Sequence, residues 1–176
     1  EDIFLVKEVD DRKFKKHLDT LISLDFNHCH INNSVKPDFL LDDNIGIYEK
    51  GAPYRLNVLG LWKKEYLLKM LIDGETPWNF EVMGSYRSAY NDGIYCLLDE
   101  VFKTVNTVEK GCWFPDKLKI AKKMGLKIDL TARKILSGHR LFKSALQIMI
   151  VKAITSIHWK KRLKLMNLLR RIFFSY

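Results

Sequence analysis

The chain has 176 residues, a net charge of +9, and 47% hydrophobic and 12% aromatic content, which is a globular composition with enough apolar surface for a core. Its three cysteines, Cys29, Cys96 and Cys112, are widely spaced and form no C-x-x-C pair. That pattern excludes a disulfide framework and a zinc site of the usual spacing, and points to free thiols in a reducing compartment.

The charge is unevenly placed. From Arg133 to Tyr176 there are 11 Lys or Arg and no Asp or Glu, which leaves 19 basic against 21 acidic residues before it. A slightly acidic body is thus followed by a strongly basic tail. The chain opens on Glu1-Asp2-Ile3-Phe4-Leu5, with neither a basic n-region nor an apolar h-region, so no secretory signal is expected. An opening of this kind is expected of a portion of a longer protein.

In chain order, residues 1–6 read as the end of a buried strand. Asp10 or Asp11 caps a helix that places Phe14, Leu18, Leu21 and Ile22 on one face. Residues 26–31 form a short strand, residues 32–44 a loop rich in Asn, Asp, Ser and Pro, and residues 45–48 another short strand. Gly51-Ala52-Pro53 is a turn, residues 54–62 are β-competent, and residues 63–72 are helical. Thr76 is placed to cap a second helix with Pro77 at its first position, where the missing N–H costs nothing. Residues 94–98 and 101–108 alternate as a strand pair. Residues 115–124 form a helix ended by Gly125, residues 126–130 are extended, and most of the chain from Thr131 is helical. Interleaved β and α elements predict an α/β fold, a mixed sheet with flanking helices.

The chemistry concentrates in residues 54–81. A strand ends at Gly60, a basic helix start follows at Leu61-Trp62-Lys63-Lys64-Glu65-Tyr66-Leu67, and a turn leads into Gly74-Glu75-Thr76-Pro77-Trp78-Asn79-Phe80-Glu81. Together with Glu1-Asp2-Ile3-Phe4-Leu5, Tyr54-Arg55-Leu56 and the Gly-x-Trp of Lys110-Gly111-Cys112-Trp113, this order resembles the acceptor-side portion of bacterial capsular and lipopolysaccharide glycosyltransferases of GT-A type. The resemblance covers residues 1 to about 133 and rests on order and spacing rather than on any one motif.

The resemblance implies a partial GT-A fold over residues 1–132, followed by a basic helical tail over 133–176. It implies sugar transfer from a nucleotide-diphosphate-sugar donor to a glycan or lipid-linked acceptor, with Glu81 as general base of an inverting displacement. Val82 stands where the family carries a second acid. Gly60, Trp62, Glu75 and Trp78 are implied as substrate-binding, Gly60 because a small residue lets backbone approach the donor sugar. Glu1 and Asp2 stand at the Asp-x-Asp-type position, where two carboxylates would hold Mg²⁺ or Mn²⁺. The plainer alternatives are a surface Glu81 at a helix start, a solvated Glu75 in its turn, and a core aromatic at Trp78. His28 and His30 share a face of their strand with Cys29 opposite, and satisfied strand histidines are favoured over a metal site.

In the tail, the uncharged run between Lys143 and Lys152 is 8 residues, well short of the roughly 20 that span a bilayer. Residues 158–174 carry Leu165, Leu168, Leu169, Ile172 and Phe173 at helical spacing among lysines and arginines. Such a helix suits an anionic membrane surface, which predicts a cytoplasmic protein peripheral to the inner face of the membrane. It equally suits packing on the domain with a solvated basic face. Nucleic acid is disfavoured, since the aromatics are not interleaved on a sheet and no helix-turn-helix or zinc pattern is present. The rival to an enzyme is a non-catalytic basic module that binds a membrane surface or nucleic acid.

Overall fold

The computed structural model describes residues 3–31, 35–52, 54–109, 111–125 and 127–173. The elements run β1 (Ile3–Leu5), α1 (Asp11–Ser23), β2 (His28–His30), β3 (Phe39–Leu40), β4 (Ile45–Ile47), β5 (Gly60–Trp62), α2 (Lys64–Met70), α3 (Pro77–Asn79), a π-turn (Phe80–Gly84), α4 (Ser85–Arg87), a 3₁₀ turn (Ser88–Tyr90), β6 (Ile94–Leu97), β7 (Thr104–Asn106), β8 (Val108–Glu109), β9 (Cys112–Trp113), α5 (Pro115–Lys123), α6 (Gly138–Ser156) and α7 (Trp159–Phe173). The class is α/β with a mixed sheet. The chain divides into two compact units, one of Glu1–Asp10 with Phe102–Met149, the other of Asp11–Val101 with Ile150–Tyr176. Residues 133–176 are thus shared between the two.

The larger unit holds a five-stranded sheet in the order β3-β4-β6-β2-β5. β2 and β6 are parallel, with His28 opposite Ile94, and the other neighbours are antiparallel. The central strands are the buried ones, as expected where both faces are covered. Tyr48, Leu56, Tyr66, Met70, Phe80, Ile94 and Cys96 form one core, with Trp62 and Leu67 packed against it. α1 buries His17 and Leu21, half-buries Phe14 and Leu18, and leaves Ile22 exposed. His17 Nε2 and Lys13 Nζ both reach Asp99 Oδ2, at 2.7 and 2.8 Å, and this ties α1 to the loop after β6.

The smaller unit pairs β1 with β7 antiparallel, Phe4 opposite Val105, and folds β8 onto β9 as a hairpin. The Trp113 of the Gly-x-Trp string is buried with Val108 and Leu118, and the Arg133 guanidinium lies 5.6 Å from its ring.

Several local expectations hold. Thr76 caps its helix, its hydroxyl accepting from the Asn79 N–H at 3.2 Å with Pro77 at the first position. α5 ends before Gly125. Others are corrected. Residues 94–98 and 101–108 do not pair: β6 lies between β2 and β4, and β7 takes β1. Only the last three residues of 54–62 are strand, because Tyr54 has φ +50° and Arg55 turns inward to bond carbonyls. The predicted loop 32–44 contains β3, which pairs with β4 across a turn closed by Asp42 Oδ1 accepting from the Asn44 and Ile45 N–H groups at 2.7 and 2.9 Å. In β1, Ile3 and Leu5 are exposed and Phe4 is half-buried, so the strand is not a buried one. Residues 127–130 form no strand.

The basic helix α7 lies on the larger unit. Arg162, in its first turns, is buried; its Nε donates to the Gly51 carbonyl at 2.9 Å and its Nη2 reaches both Asp38 oxygens at 2.8 Å. Gly51 has φ +79°, and a Cβ there would meet the Leu163 Cα at 3.0 Å, so helix backbone sits directly on the turn. Lys160, Lys161 and Lys164 face solvent. Among the described residues no helix is long and apolar enough to cross a membrane.

Candidate functional site

The site assembles on the larger unit where β5, α2 and the helical run from Pro77 meet. A cleft of about 270 Å³ is lined by Val58, Trp62, Leu67, Leu71, Ile72, Glu75, Pro77 and Phe80. It is mainly apolar, with few polar groups, as small-molecule sites commonly are. Of the seven residues singled out from the sequence, Trp62 and Glu75 line this cleft, and Trp78 and Glu81 each follow a residue that does. Gly60 lies on β5 two residues before Trp62, and Glu1 and Asp2 lie outside the described residues.

Trp62 ends β5 and forms the floor. Its ring is 3.9 Å from that of His28, 5.8 Å from Phe80 and 6.3 Å from Tyr66. It is half-buried, so an edge remains open to the cleft. Trp78 is 73% exposed, which rules out the core-aromatic alternative and leaves its face free to stack on a ligand.

Glu81 lies on the π-turn. A π-turn inserted in a helix redirects side chains and is frequent at functional sites. Two bonds tie this turn and the start of α4 to the segment that leads into β5. The Leu56 N–H donates to Ser85 Oγ at 2.9 Å, and the Val58 N–H donates to Glu81 Oε1 at 3.4 Å. The carboxylate is half-buried, and burial raises its pKa above the ordinary glutamate value, with the Val58 N–H pulling the other way. Half-buried and accepting from the Val58 N–H, Glu81 is not the fully exposed helix-start residue of the plainer reading.

Glu75 is corrected in role. Its two oxygens accept from Arg87 Nη1 at 3.0 Å and Nη2 at 2.6 Å, and Arg87 Nη2 also donates to the Met70 carbonyl at 2.8 Å. Its side chain is 11% exposed, and both of its oxygens are held by Arg87. This forked pair braces the turn between α2 and α3 and thereby holds Trp78 and Glu81 in place.

Gly60 is small for a different reason than a close approach to a donor sugar. A Cβ at this position would stand 2.3 Å from His28 Cε1 and 2.8 Å from the Cys29 carbonyl. The glycine makes room for the His28 ring, which supports Trp62 from behind. Gly60→Ala is expected to destabilise the protein by about 1–3 kcal/mol through overpacking, read as a lower urea midpoint.

His28 and His30 are fully occupied by protein. His28 Nδ1 lies 3.1 Å from the Leu61 carbonyl, and its Nε2 lies 3.2 Å from Asn57 Oδ1 and 3.5 Å from the Asn57 backbone nitrogen. His30 donates from Nε2 to the Arg55 carbonyl at 2.8 Å and accepts at Nδ1 from Asn57 Nδ2 at 2.9 Å. These are the satisfied strand histidines expected from the sequence. Burial pushes both pKa values down, that of His30 to about 4 from 6.5, so both rings are neutral in the fold. As pH falls from about 6.5 towards about 4, the unfolded chain takes a proton that the folded His30 refuses. Stability present at neutral pH is therefore lost over that window, by on the order of 3 kcal/mol for His30. Urea midpoints measured down this range should fall, and His30→Gln should flatten the slope.

No protein-family model, curated protein or solved structure matches the chain. The site therefore stands on its own geometry. Among the described residues no group of three or more His, Cys, Asp or Glu is placed to hold a metal ion.

Sequence reasoning missed Val58, Phe80, Ser85 and Arg87. Phe80 carried a signal, an apolar residue beside Glu81 at the start of a helix. Arg87 carried none, because the ion pair with Glu75 is made across two helical elements.

Proposed function

We propose that this chain forms the acceptor side of a GT-A-type glycosyltransferase of bacterial surface-polysaccharide synthesis, with Glu81 as its general base. The observation that supports this most is Glu81 itself: a half-buried carboxylate of raised pKa, held on a π-turn beside a cleft floored by Trp62. In the reaction, Glu81 takes the proton of an acceptor hydroxyl. The freed oxygen attacks the anomeric carbon of the donor sugar, and the bond to the nucleotide diphosphate breaks, its electrons leaving with the diphosphate. One attack from the face opposite the leaving group inverts the centre.

Trp78 and the open edge of Trp62 are suited to stack on sugar rings. Leu71 and Ile72, exposed at the cleft, favour a lipid-linked acceptor over a free glycan. The same reading carries a Mg²⁺ or Mn²⁺ ion at Glu1 and Asp2, and the described residues add no ligand cluster to that pair. The test is transfer of radiolabelled sugar from nucleotide-sugar donors to lipid-linked acceptors by the wild-type protein and by Glu81→Gln. Transfer by the variant at a rate near wild type would remove Glu81 from the mechanism.

A further inference from the structure

α6 is turned so that its apolar residues face both ways. Leu141, Ser144, Val151, Ile154 and Thr155 are buried or half-buried. On the other side Phe142 is 67% and Met149 61% exposed, with Leu146, Ile150 and Ala153 exposed beside them. At 3.6 residues per turn these five fall within an arc of about 100°. Lys143 and Lys152 border the arc on opposite sides, both exposed. From Arg133 onwards the chain carries 11 basic residues and no acidic one.

We propose that this face of α6 lies in the surface of a bilayer rich in anionic lipid. The apolar arc would enter the boundary between headgroups and acyl chains. The two lysines would lay their stems along it and keep their ammonium groups at the phosphates. The charge argues for this occupant. A protein partner would have to answer lysines on both borders of the arc with acidic groups, whereas an anionic bilayer answers them everywhere. The helix is too short and too charged to cross the membrane, so it lies along it. α7, the more basic helix, is not the docking element, because its Arg162 and Leu163 are committed to the larger unit. This inference does not depend on sugar transfer.

Co-sedimentation of the whole chain with lipid vesicles tests it. The protein is expected to bind vesicles containing about a third phosphatidylglycerol, to bind phosphatidylcholine vesicles weakly, and to lose affinity as salt is raised. Phe142→Gln with Met149→Gln leaves the charge unchanged and should weaken binding about tenfold or more. Lys143→Gln with Lys152→Gln should weaken it about 30-fold, at about fivefold for each lysine. Far-UV circular dichroism should be unaltered in both, since all four side chains are exposed. The proposal is overturned if wild type does not bind anionic vesicles or if the Phe142/Met149 variant binds as wild type does. It is equally overturned if the face instead mediates self-association, or if it takes up RNA in place of vesicles.

Discussion

Glu81→Gln is expected to slow sugar transfer about 10²–10⁴-fold, the range that general-base removal commonly costs. Glutamine has the same shape as glutamate and keeps an oxygen to accept from the Val58 N–H, so the π-turn and the cleft should survive. A change in thermal midpoint should stay within what about 0.5 kcal/mol produces. The pH profile gives an independent reading. The base form of Glu81 must be present for reaction, and burial raises the pKa of this carboxyl. The wild-type rate should therefore fall as pH drops through that raised value, and the limb should be absent from the residual activity of the variant. A rate loss with the acid limb intact would mean that another group takes the proton.

Arg162→Met is expected to cost about 3–5 kcal/mol, the usual penalty for stranding one partner of a buried ion pair. Arg162 and Asp38 are both nearly inaccessible, at 1% and 8% of side-chain surface. Removing the guanidinium leaves the Asp38 carboxylate with the Glu49 N–H at 2.9 Å but without its counter-charge. The Gly51 carbonyl also loses its donor. For a chain of this size the thermal midpoint should drop by about 6–20 °C. Adding Asp38→Asn should restore part of the loss, because no buried charge is then left alone while Asn still accepts from Glu49. Equal stability of wild type and Arg162→Met would show that the pair contributes only surface-like energy.

What the sequence disclosed follows the range of the interactions. Thr76 and Pro77 were readable because a cap is settled within four residues. His28 and His30 were readable as a pair because strand alternation alone puts them on one face. The partners of strands were not readable. Residues 94–98 alternate well, but nothing local says that they join β2 in parallel rather than the next strand in hairpin fashion. Arginine burial was also hidden. Arg55 donates to the carbonyls of Tyr48, Ser88 and Asn91, and such cages are assembled from residues far apart in sequence. Trp62, Trp78 and Glu81 were picked out from residue type and order, and the fold brings Trp62 to the cleft with Trp78 and Glu81 next in sequence to residues that line it. The role of Glu75 was not legible, since it depends on Arg87 reaching back from the far side of the π-turn. Gly60 was noticed correctly as a place where a side chain is not tolerated, while the cause, the ring of His28, was visible only in three dimensions.

The bond between Asp38 and Arg162 spans 124 residues. On a ribosome adding 5–20 residues per second, Asp38 is made about 6–25 s before its arginine. Once Ile94–Leu97 has been added, and until Arg162 follows, the larger unit has its sheet strands and cleft residues but lacks the helix that covers Gly51 and neutralises Asp38. The last helix acts as a latch fitted only when translation has passed through it, so a chain that ends after residue 149 has its cleft residues but leaves Asp38 without its arginine.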